Sequence, residues 1–277
     1  MSSRRKNFRS SPRGPSWIPA CAGMSGRCAV ISIVAMLATT VAVRAAEVNA
    51  FISTAIKSVT DEVLPPFERS SGYTIHALYS PPGALLKHFE AGEPADVFLT
   101  GADAIDQLIA QGKVVPGRVD LATTGIGICV KKGAQHPDVS TPDAFKRALL
   151  AATTVAYVAP AGGSVTGPHI EAMFKKLGIA EQMAAKTKYA AGGPNGRVSV
   201  LVSNGEAEIG LQQVSELLTN PGVDVIGMLP GDLQQITIYS AGVTTSAKQV
   251  EGARAIIAAM AAASAKPIYQ AKGLDPL

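Results

Sequence analysis

Hydrophobic residues recur along this chain in two periods, one typical of strands and one typical of helices. Residues 48–52, which are apolar except for Asn49, predict a strand, and Val59, Val63 and Phe67 then follow at the spacing of one helix face. Residues 73–79 alternate between apolar and polar positions, as a second strand would. This order of strand, helix and strand continues along the chain and predicts an α/β protein.

Residues 80–100 are typical of a turn, a short amphipathic helix and a buried strand. Pro81 and Pro82 cannot continue a strand ladder, and Gly83 leaves room for a ligand to approach the backbone. Three apolar residues at helical spacing follow, and residues 96–99 then predict a short buried strand. This unit would place a helix N-terminus next to a loop, where backbone N–H groups point towards any anion bound there.

Beyond residue 124 the chain repeats this arrangement. A predicted strand over residues 154–158 leads into a glycine-rich turn, residues 160–167, which carries the hydroxyls of Ser164 and Thr166. The turn contains no Gly-Lys-Ser/Thr, so it is not a nucleotide P-loop. A hydrolase elbow would need glycine at position 166 and a later histidine, and no histidine follows His169. The turn therefore predicts a binding loop.

A second glycine-rich turn precedes a predicted helix over residues 198–202. Asn195 suits the N-cap of that helix, and Arg197 lies in its first turn. A cation there opposes the helix dipole, so an anionic ligand would give Arg197 a role; an arginine that extends into solvent is the alternative. The next strand, residues 209–213, ends in two amides, and Gln213 is placed to form the floor of a cleft or to begin the next helix.

Two apolar segments, residues 125–130 and 236–243, are placed to cross between the two halves. We predict one lobe from residues 46–123 with 240–277 and a second lobe from residues 124–239. The crossing segments would form a hinge, and the lobes would close on a ligand between them. Ligands of open α/β sheets bind beyond the carboxyl ends of the strands, so hydroxyl and N–H donors of both lobes would face this cleft.

Residues 1–45 are predicted to be a leader. An apolar run over residues 28–43 follows Arg27 and ends at small residues, which is the pattern of a secretory signal peptide cleaved after Ala45, with Ala46 as the alternative. The run is shorter than the roughly 20 residues that a membrane-spanning helix needs. An uncleaved signal anchor is the other interpretation. We expect export to the periplasm.

The formal charge of +4 is dominated by the leader, which holds seven basic residues and no acidic residue. Removing these from the chain's 25 basic residues leaves 18 against 21 acidic residues, a net charge of −3. That balance does not favour nucleic acid as a partner. Cys129 is the one cysteine left after leader removal, so we expect neither a disulfide nor a zinc site. It lies in an apolar run, and we expect it to serve as a small buried hydrophobic residue. We predict no metal and no cofactor.

The segment Glu90-Ala91-Gly92-Glu93-Pro94-Ala95-Asp96-Val97-Phe98-Leu99 resembles the signature of the periplasmic molybdate-binding proteins, the substrate-binding subunits of ABC importers. The resemblance extends more loosely from about Val48 to the C-terminus. It implies two α/β lobes joined by a hinge, and a tetrahedral oxyanion held by hydroxyls and backbone N–H groups. An ABC permease in the inner membrane is the implied partner, and we expect a monomer.

The resemblance also implies where the ligand binds. The family's contacts match, in chain order, Thr54 with Ser53 beside it, Pro82 or Gly83 with Ser80 nearby, Thr166, Asn195 and Gln213. Two of the family's hydroxyls, a serine near position 82 and a tyrosine at position 213, are missing here. The presence of Arg197, Ser164 and Thr166 fits a larger anion that bears carboxylates. We therefore expect an organic polycarboxylate in preference to molybdate.

Two classes of function remain open. The favoured hypothesis is a solute-binding protein that delivers an anion to its importer. The alternative is a periplasmic isomerase on the same scaffold, because some relatives of the family look like isomerases that interconvert cis- and trans-aconitate. Such a proton shift needs a general acid/base, for which His169 and Lys57, with Tyr79, are the candidates near the loops. A structural or adhesive exported domain is a third, less favoured hypothesis.

Overall fold

The computed structural model describes residues 46–191 and 197–277, so the predicted leader lies outside the described residues. The strands are β1 (Ala46–Ser53), β2 (Tyr73–Ser80), β3 (Val97–Gly101), β4 (Val119–Lys131), β5 (Val155–Val158), β6 (Thr187–Ala190), β7 (Ile209–Gln213), β8 (Val223–Met228), β9 (Ile236–Val243) and β10 (Asp275–Pro276). The helices are α1 (Lys57–Ser71), α2 (Pro82–Glu90), α3 (Ala102–Ala110), α4 (Pro142–Ala151), α5 (Thr166–Lys176), α6 (Ala180–Ala184), α7 (Val198–Ser203), α8 (Val214–Leu217), α9 (Val250–Met260) and α10 (Lys266–Ala271).

The strands form two sheet regions that share β4. Along the sheet the order is β2-β1-β3-β9-β4-β7-β5-β6, and β8 and β10 pair with β4 beside this path. In the first region β1 runs parallel to β2 and β3, and β9 runs antiparallel to β3. In the second region β5 runs parallel to β6 and β7. We call these regions, with the helices packed on them, the first and the second lobe.

Strand β4 carries the chain from one lobe into the other. Its residues up to Gly125 pair with β9, whereas those from Ile126 onwards pair with β7 and β8. At this changeover the amide of Gln234 bonds both backbone groups of Ile126: Oε1 accepts from its N–H at 2.8 Å, and Nε2 donates to its carbonyl oxygen at 3.1 Å. The crossover predicted for residues 125–130 is therefore part of one continuous strand, and the side chain of Gln234 holds it at the changeover.

Each lobe has hydrophobic residues on both faces of its sheet. In β1, Ile52 packs among buried residues of α1 and α9, and its neighbour Phe51 faces α2 and α3 on the other side. The ring of Phe51 meets that of Phe98 edge-on, with a centroid distance of 5.4 Å. Because successive strand residues point to opposite faces, a strand covered on both sides needs an unbroken apolar run. This requirement explains the apolar run of residues 50–52.

Most of the predicted elements are present, with small shifts at their ends. The helix expected near His169 begins at Thr166, and the helix after the second glycine-rich turn begins at Val198, so Arg197 is its N-cap residue. Cys129 is fully buried, as predicted, and burial raises the pKa of its thiol to about 12. Within the part of the chain that the structure describes, no helix is both long and apolar enough to cross a membrane.

Candidate functional site

Loops from both lobes enclose a polar cavity at the carboxyl ends of the parallel strands. Its empty space is about 320 Å³, part of which is open solvent. The lining residues are Ser53, Thr54, Ala55, Pro81, Pro82, Val158, Ser164, Val165, Thr166, Gln212, Gln213, Glu216 and Tyr239.

The wall from the first lobe is built by the ends of β1 and β2. Ser53 and Ser80 are paired in register at these ends, so the chain after both strands emerges at one edge of the sheet. The Oγ atom of Ser53 accepts a hydrogen bond from the N–H of Ala55 at 3.4 Å and caps the short 3-10 turn that starts at Thr54. Ser53 and Thr54 are both buried and line the cavity, whereas Ser80 does not line it.

The wall from the second lobe is the loop that leads into α5. Ser164 Oγ lies 2.9 Å from Thr166 Oγ1 and accepts hydrogen bonds from the N–H groups of Thr166 and Gly167 at 3.1 and 3.3 Å. This network fixes two hydroxyls at the start of an eleven-residue helix. Hydroxyls at a helix N-terminus can hydrogen-bond an anion, and the helix dipole favours negative charge at this position.

Two amides at the end of β7 form the floor. Gln212 Oε1 accepts from the N–H of Val198 at 3.2 Å, which leaves its amide nitrogen for other partners. Gln213 Nε2 donates to Thr237 Oγ1 at 3.1 Å, and Gln213 Oε1 accepts from the Tyr239 hydroxyl at 2.6 Å. The floor is thus held by bonds between β7 and β9, which belong to different lobes, and it orients the buried phenol of Tyr239.

The carboxyl group of Glu216 also lines the cavity. The residue lies in α8, three positions after the end of β7, and it is 8% exposed. Burial raises the pKa of this carboxyl; hydrogen bonds from the Thr54 and Gln212 side chains and the positive charge of Arg197 lower it in part. Burial, together with the negative charge of Glu216, raises the pKa of Tyr239 well above its ordinary value. The cavity therefore contains an acidic group whose proton is held more tightly than in water.

The structure brings together five of the predicted ligand-binding residues: Ser53, Thr54, Ser164, Thr166 and Gln213. Gly83 does not line this cavity, because its backbone contacts Gly163 of the opposite lobe. Arg197 lines a different cavity, where its guanidinium donates to Thr219 Oγ1. Asn195 lies outside the described residues.

The two predicted acid/base residues do not line the cavity. His169 Nε2 lies 2.8 Å from the carbonyl oxygen of Leu233. Lys57 Nζ bonds the carboxylate of Asp61 at 2.6 Å and lies 4.6 Å from the ring centroid of Tyr79. Both side chains therefore have other partners, and among the described residues that line the cavity Glu216 is the carboxyl group that can take up and release a proton.

Sequence reasoning missed Glu216, Gln212 and Tyr239 as cavity residues. Glu216 is the third residue after β7, whose last two residues are amides. Ile56 is likewise the third residue after β1. A carboxylate in a four-residue helix between two buried residues is the signal that could have identified it, because an unpaired carboxylate is costly to bury. Tyr239 carries no such signal, since an aromatic residue in a strand is ordinary.

Two α/β lobes, a shared crossover strand and a cleft lined from both sides define a two-lobed binding protein of the periplasmic type. The chain belongs to the family of bacterial extracellular solute-binding proteins, whose family model matches residues 48–275. It is 34% identical over 223 residues to a Pseudomonas aconitate isomerase, covering 78% of this chain and 82% of that protein.

Solved structures show the same fold. The periplasmic molybdate-binding protein of Azotobacter vinelandii matches with a TM-score of 0.66 and 16% identity, over 82% of this chain and 98% of that one. The sulfate-binding protein SubI of Mycobacterium tuberculosis matches with a TM-score of 0.67 and 13% identity, over 84% and 87%. The resemblance to the molybdate-binding proteins is thus confirmed at the level of family and fold.

Proposed function

We propose that this protein is a periplasmic isomerase that binds aconitate in the cleft and interconverts its cis and trans isomers. The observation that carries the proposal is the buried carboxyl of Glu216 in a cavity otherwise lined by uncharged groups. A carboxylate repels an anionic ligand, so it weakens a site whose sole task is to hold an anion. The same carboxyl is useful where a proton must be moved, because its raised pKa brings it nearer to neutral pH.

The reaction needs one group that removes and returns a proton. Glu216, as the carboxylate, takes a proton from the methylene carbon of aconitate, and the remaining electron pair is delocalised over the allylic system and its carboxylates. The double bond shifts, and the protonated Glu216 returns the proton to the former vinylic carbon. The hydroxyls of Ser164 and Thr166 hydrogen-bond the substrate carboxylates, which gain negative charge in the intermediate, while Thr54 donates to Glu216. The 34% identity to aconitate isomerase supports this assignment.

A second candidate is the solute-binding subunit of an ABC importer, with no catalysis. Its support is the set of uncharged donors that both lobes present to the cavity, which is the arrangement expected for a dehydrated anion. Pro81 and Pro82 supply no N–H group, and their turn carries no hydroxyl into the cavity, so the ligand of this candidate is an organic polycarboxylate in preference to molybdate. For both candidate functions we expect a monomer with a cleavable signal peptide.

Proton NMR of trans-aconitate with the purified mature chain tests the proposal. Protein at about a thousandth of the substrate concentration should convert trans- to cis-aconitate until equilibrium is reached. In D₂O the methylene position should gain deuterium to the extent that the proton on Glu216 exchanges with solvent. Stoichiometric binding of trans-aconitate without turnover would overturn the isomerase proposal and favour the importer subunit. Tight molybdate binding would contradict the preference for a polycarboxylate.

A further inference from the structure

The side chain of Gln212 connects the carboxyl group of the cleft to the protein backbone. Gln212 lies in β7, lines the cleft cavity and is 2% exposed, so water competes little for its hydrogen bonds. Its Oε1 atom accepts a hydrogen bond at 3.2 Å from the backbone N–H of Val198, the first residue of α7. The same side chain hydrogen-bonds the carboxyl group of Glu216. Gln212 therefore has protein partners at both ends of its amide.

The backbone fixes which end of this amide faces Glu216. A backbone N–H group can only donate, so the amide oxygen has to face Val198, and the amide nitrogen then faces Glu216. An amide nitrogen can only donate, whereas a hydroxyl such as that of Thr54 can turn to donate or to accept. Gln212 thus offers Glu216 a donor in either protonation state, and a donor binds the carboxylate more strongly than the neutral acid.

A donor is important to Glu216 because its carboxyl is buried. Burial favours the protonated form, which cannot remove a proton from carbon. The positive charge of Arg197 opposes this effect, and the phenol of Tyr239 is the other titratable group that interacts with Glu216. The charged residues of β4 and β8, which also pack against α8, have other surroundings: Asp120 pairs with Arg118, Asp224 pairs with Lys132, and Lys131 is exposed. The ionised state of Glu216 therefore depends on Arg197 and on the hydrogen bonds from Thr54 and Gln212.

We propose that Gln212 is a positioning residue for the isomerisation: its amide nitrogen holds the Glu216 carboxylate, ionised and in one orientation, for removal of the substrate proton. The inference rests on the proposed function and deepens it, because it names the residue that prepares the acid/base group. The N–H of Val198 is the fixed point that orients the amide. Since its oxygen and its nitrogen both bond protein groups, Gln212 acts through Glu216 and leaves substrate binding to other residues of the cavity.

Two substitutions separate this role from a purely structural one. Gln212→Met removes both ends of the amide, whereas Gln212→Glu keeps an oxygen for Val198 and replaces the donor towards Glu216 by an acceptor. If Gln212 served only to anchor the start of α7, Gln212→Glu should behave like the wild type. If Gln212 positions Glu216, both variants should lose activity. Gln212→Glu should lose at least as much as Gln212→Met, because two neighbouring carboxyl groups compete for one proton.

The pH dependence of aconitate isomerisation by the mature chain is the first measurement. For Gln212→Met we expect kcat to fall about tenfold or more at pH 5 and less at pH 8, because without the donor Glu216 stays protonated up to a higher pH. KM should change little, since the amide bonds protein groups. Gln107→Met and Gln107→Glu, which alter an exposed amide of α3, are the matched controls. Parallel pH profiles in the wild type and both Gln212 variants would reject the proposal.

Carbon NMR of the Glu216 carboxyl gives a second answer that does not depend on turnover. In the ligand-free chain with isotopically labelled glutamate, the Glu216 resonance is identified by its absence from Glu216→Gln. Its pKa should be higher in Gln212→Met than in the wild type, and an equal pKa in the two chains would overturn the proposal even if the wild type is active. If the wild type did not isomerise aconitate, the isomerase proposal would fail, and this titration would still decide whether Gln212 holds the Glu216 carboxylate.

Discussion

The backbone N–H of Gly83 donates a hydrogen bond to the carbonyl oxygen of Gly163, with an N···O distance of 3.0 Å. Gly83 lies in the first turn of α2 in the first lobe, and Gly163 lies in the loop before α5 in the second. A Cβ atom on Gly83 would stand 2.9 Å from Gly163 Cα, and one on Gly163 would stand 2.8 Å from the nitrogen of Ala84. The two turns therefore meet backbone to backbone beside the cleft, and the room that Gly83 leaves is taken by the opposite lobe.

Replacing Gly83 by alanine should weaken ligand binding. The added methyl group meets backbone atoms, which cannot rotate away, so the lobes would have to stand apart and the hydrogen bond would be lost. We expect about a tenfold loss of affinity for the cleft ligand, equivalent to about 1.4 kcal/mol, measured by calorimetry. Gly101→Ala is the control, because a Cβ atom there meets nothing within 4 Å. Equal affinity in Gly83→Ala and the wild type would show that the glycine contact does not limit closure.

Glu216→Gln should separate catalysis from binding. The amide keeps the size of the side chain but cannot accept a proton from carbon, so isomerisation of aconitate should fall by about 10²–10⁴-fold. Binding should be retained or strengthened, because a like charge has been removed from an anion site. The matched control is Glu206→Gln, which alters an exposed carboxylate near Asn204. Turnover at the wild-type rate in Glu216→Gln would exclude Glu216 as the acid/base.

The same substitution should change how stability depends on pH. The pKa of Glu216 is raised above its ordinary value of 4.5 in the folded chain, so the folded state binds more protons than the unfolded state between the two values. Stability is therefore lost as the pH rises from the unfolded pKa towards the folded one. The amide in Glu216→Gln does not titrate in this range, so the variant does not lose stability in this way.

Melting temperatures of the ligand-free chain check this expectation. The difference between Glu216→Gln and the wild type should become more favourable to the variant as the pH increases from 4 to 8. A constant difference over this range would mean that Glu216 titrates alike in the folded and unfolded chains. Glu206→Gln, which alters an exposed group, should follow the wild type throughout.

Thr166→Val should identify the contribution of one cavity hydroxyl. Valine has nearly the same shape but donates no hydrogen bond, and a hydrogen bond to a charged ligand contributes about 1.5–3 kcal/mol. We expect affinity for the cleft ligand to fall by about 10–100-fold, as read from calorimetry. Thr100→Val is a matched control: Thr100 is also buried, lies outside the cavity, and its hydroxyl has no partner among the described residues. Similar affinities in both variants would remove Thr166 from the ligand contacts.

Local chain properties were sufficient to predict much of the fold. The strand over residues 48–52, the helix face of Val59 and Val63, and the crossover over residues 125–130 follow from side-chain periodicity, which each segment carries by itself. The hydroxyls of Thr54 and Thr166 could be placed at one cleft, because parallel strands deliver their following loops to the same edge of a sheet. The lobe bounds remain a prediction.

Tertiary structure alone decided which polar groups share a cavity. Glu216 lines the cleft, whereas Arg197 lines a separate cavity together with Lys57 and Lys272. No local pattern sets this division, because it depends on how α8 packs between β4 and the first turn after β1. The sequence by itself determined the strands, the helices and the hydroxyl-bearing loops. The direction of each charged side chain, and hence the acid/base group, came from long-range packing.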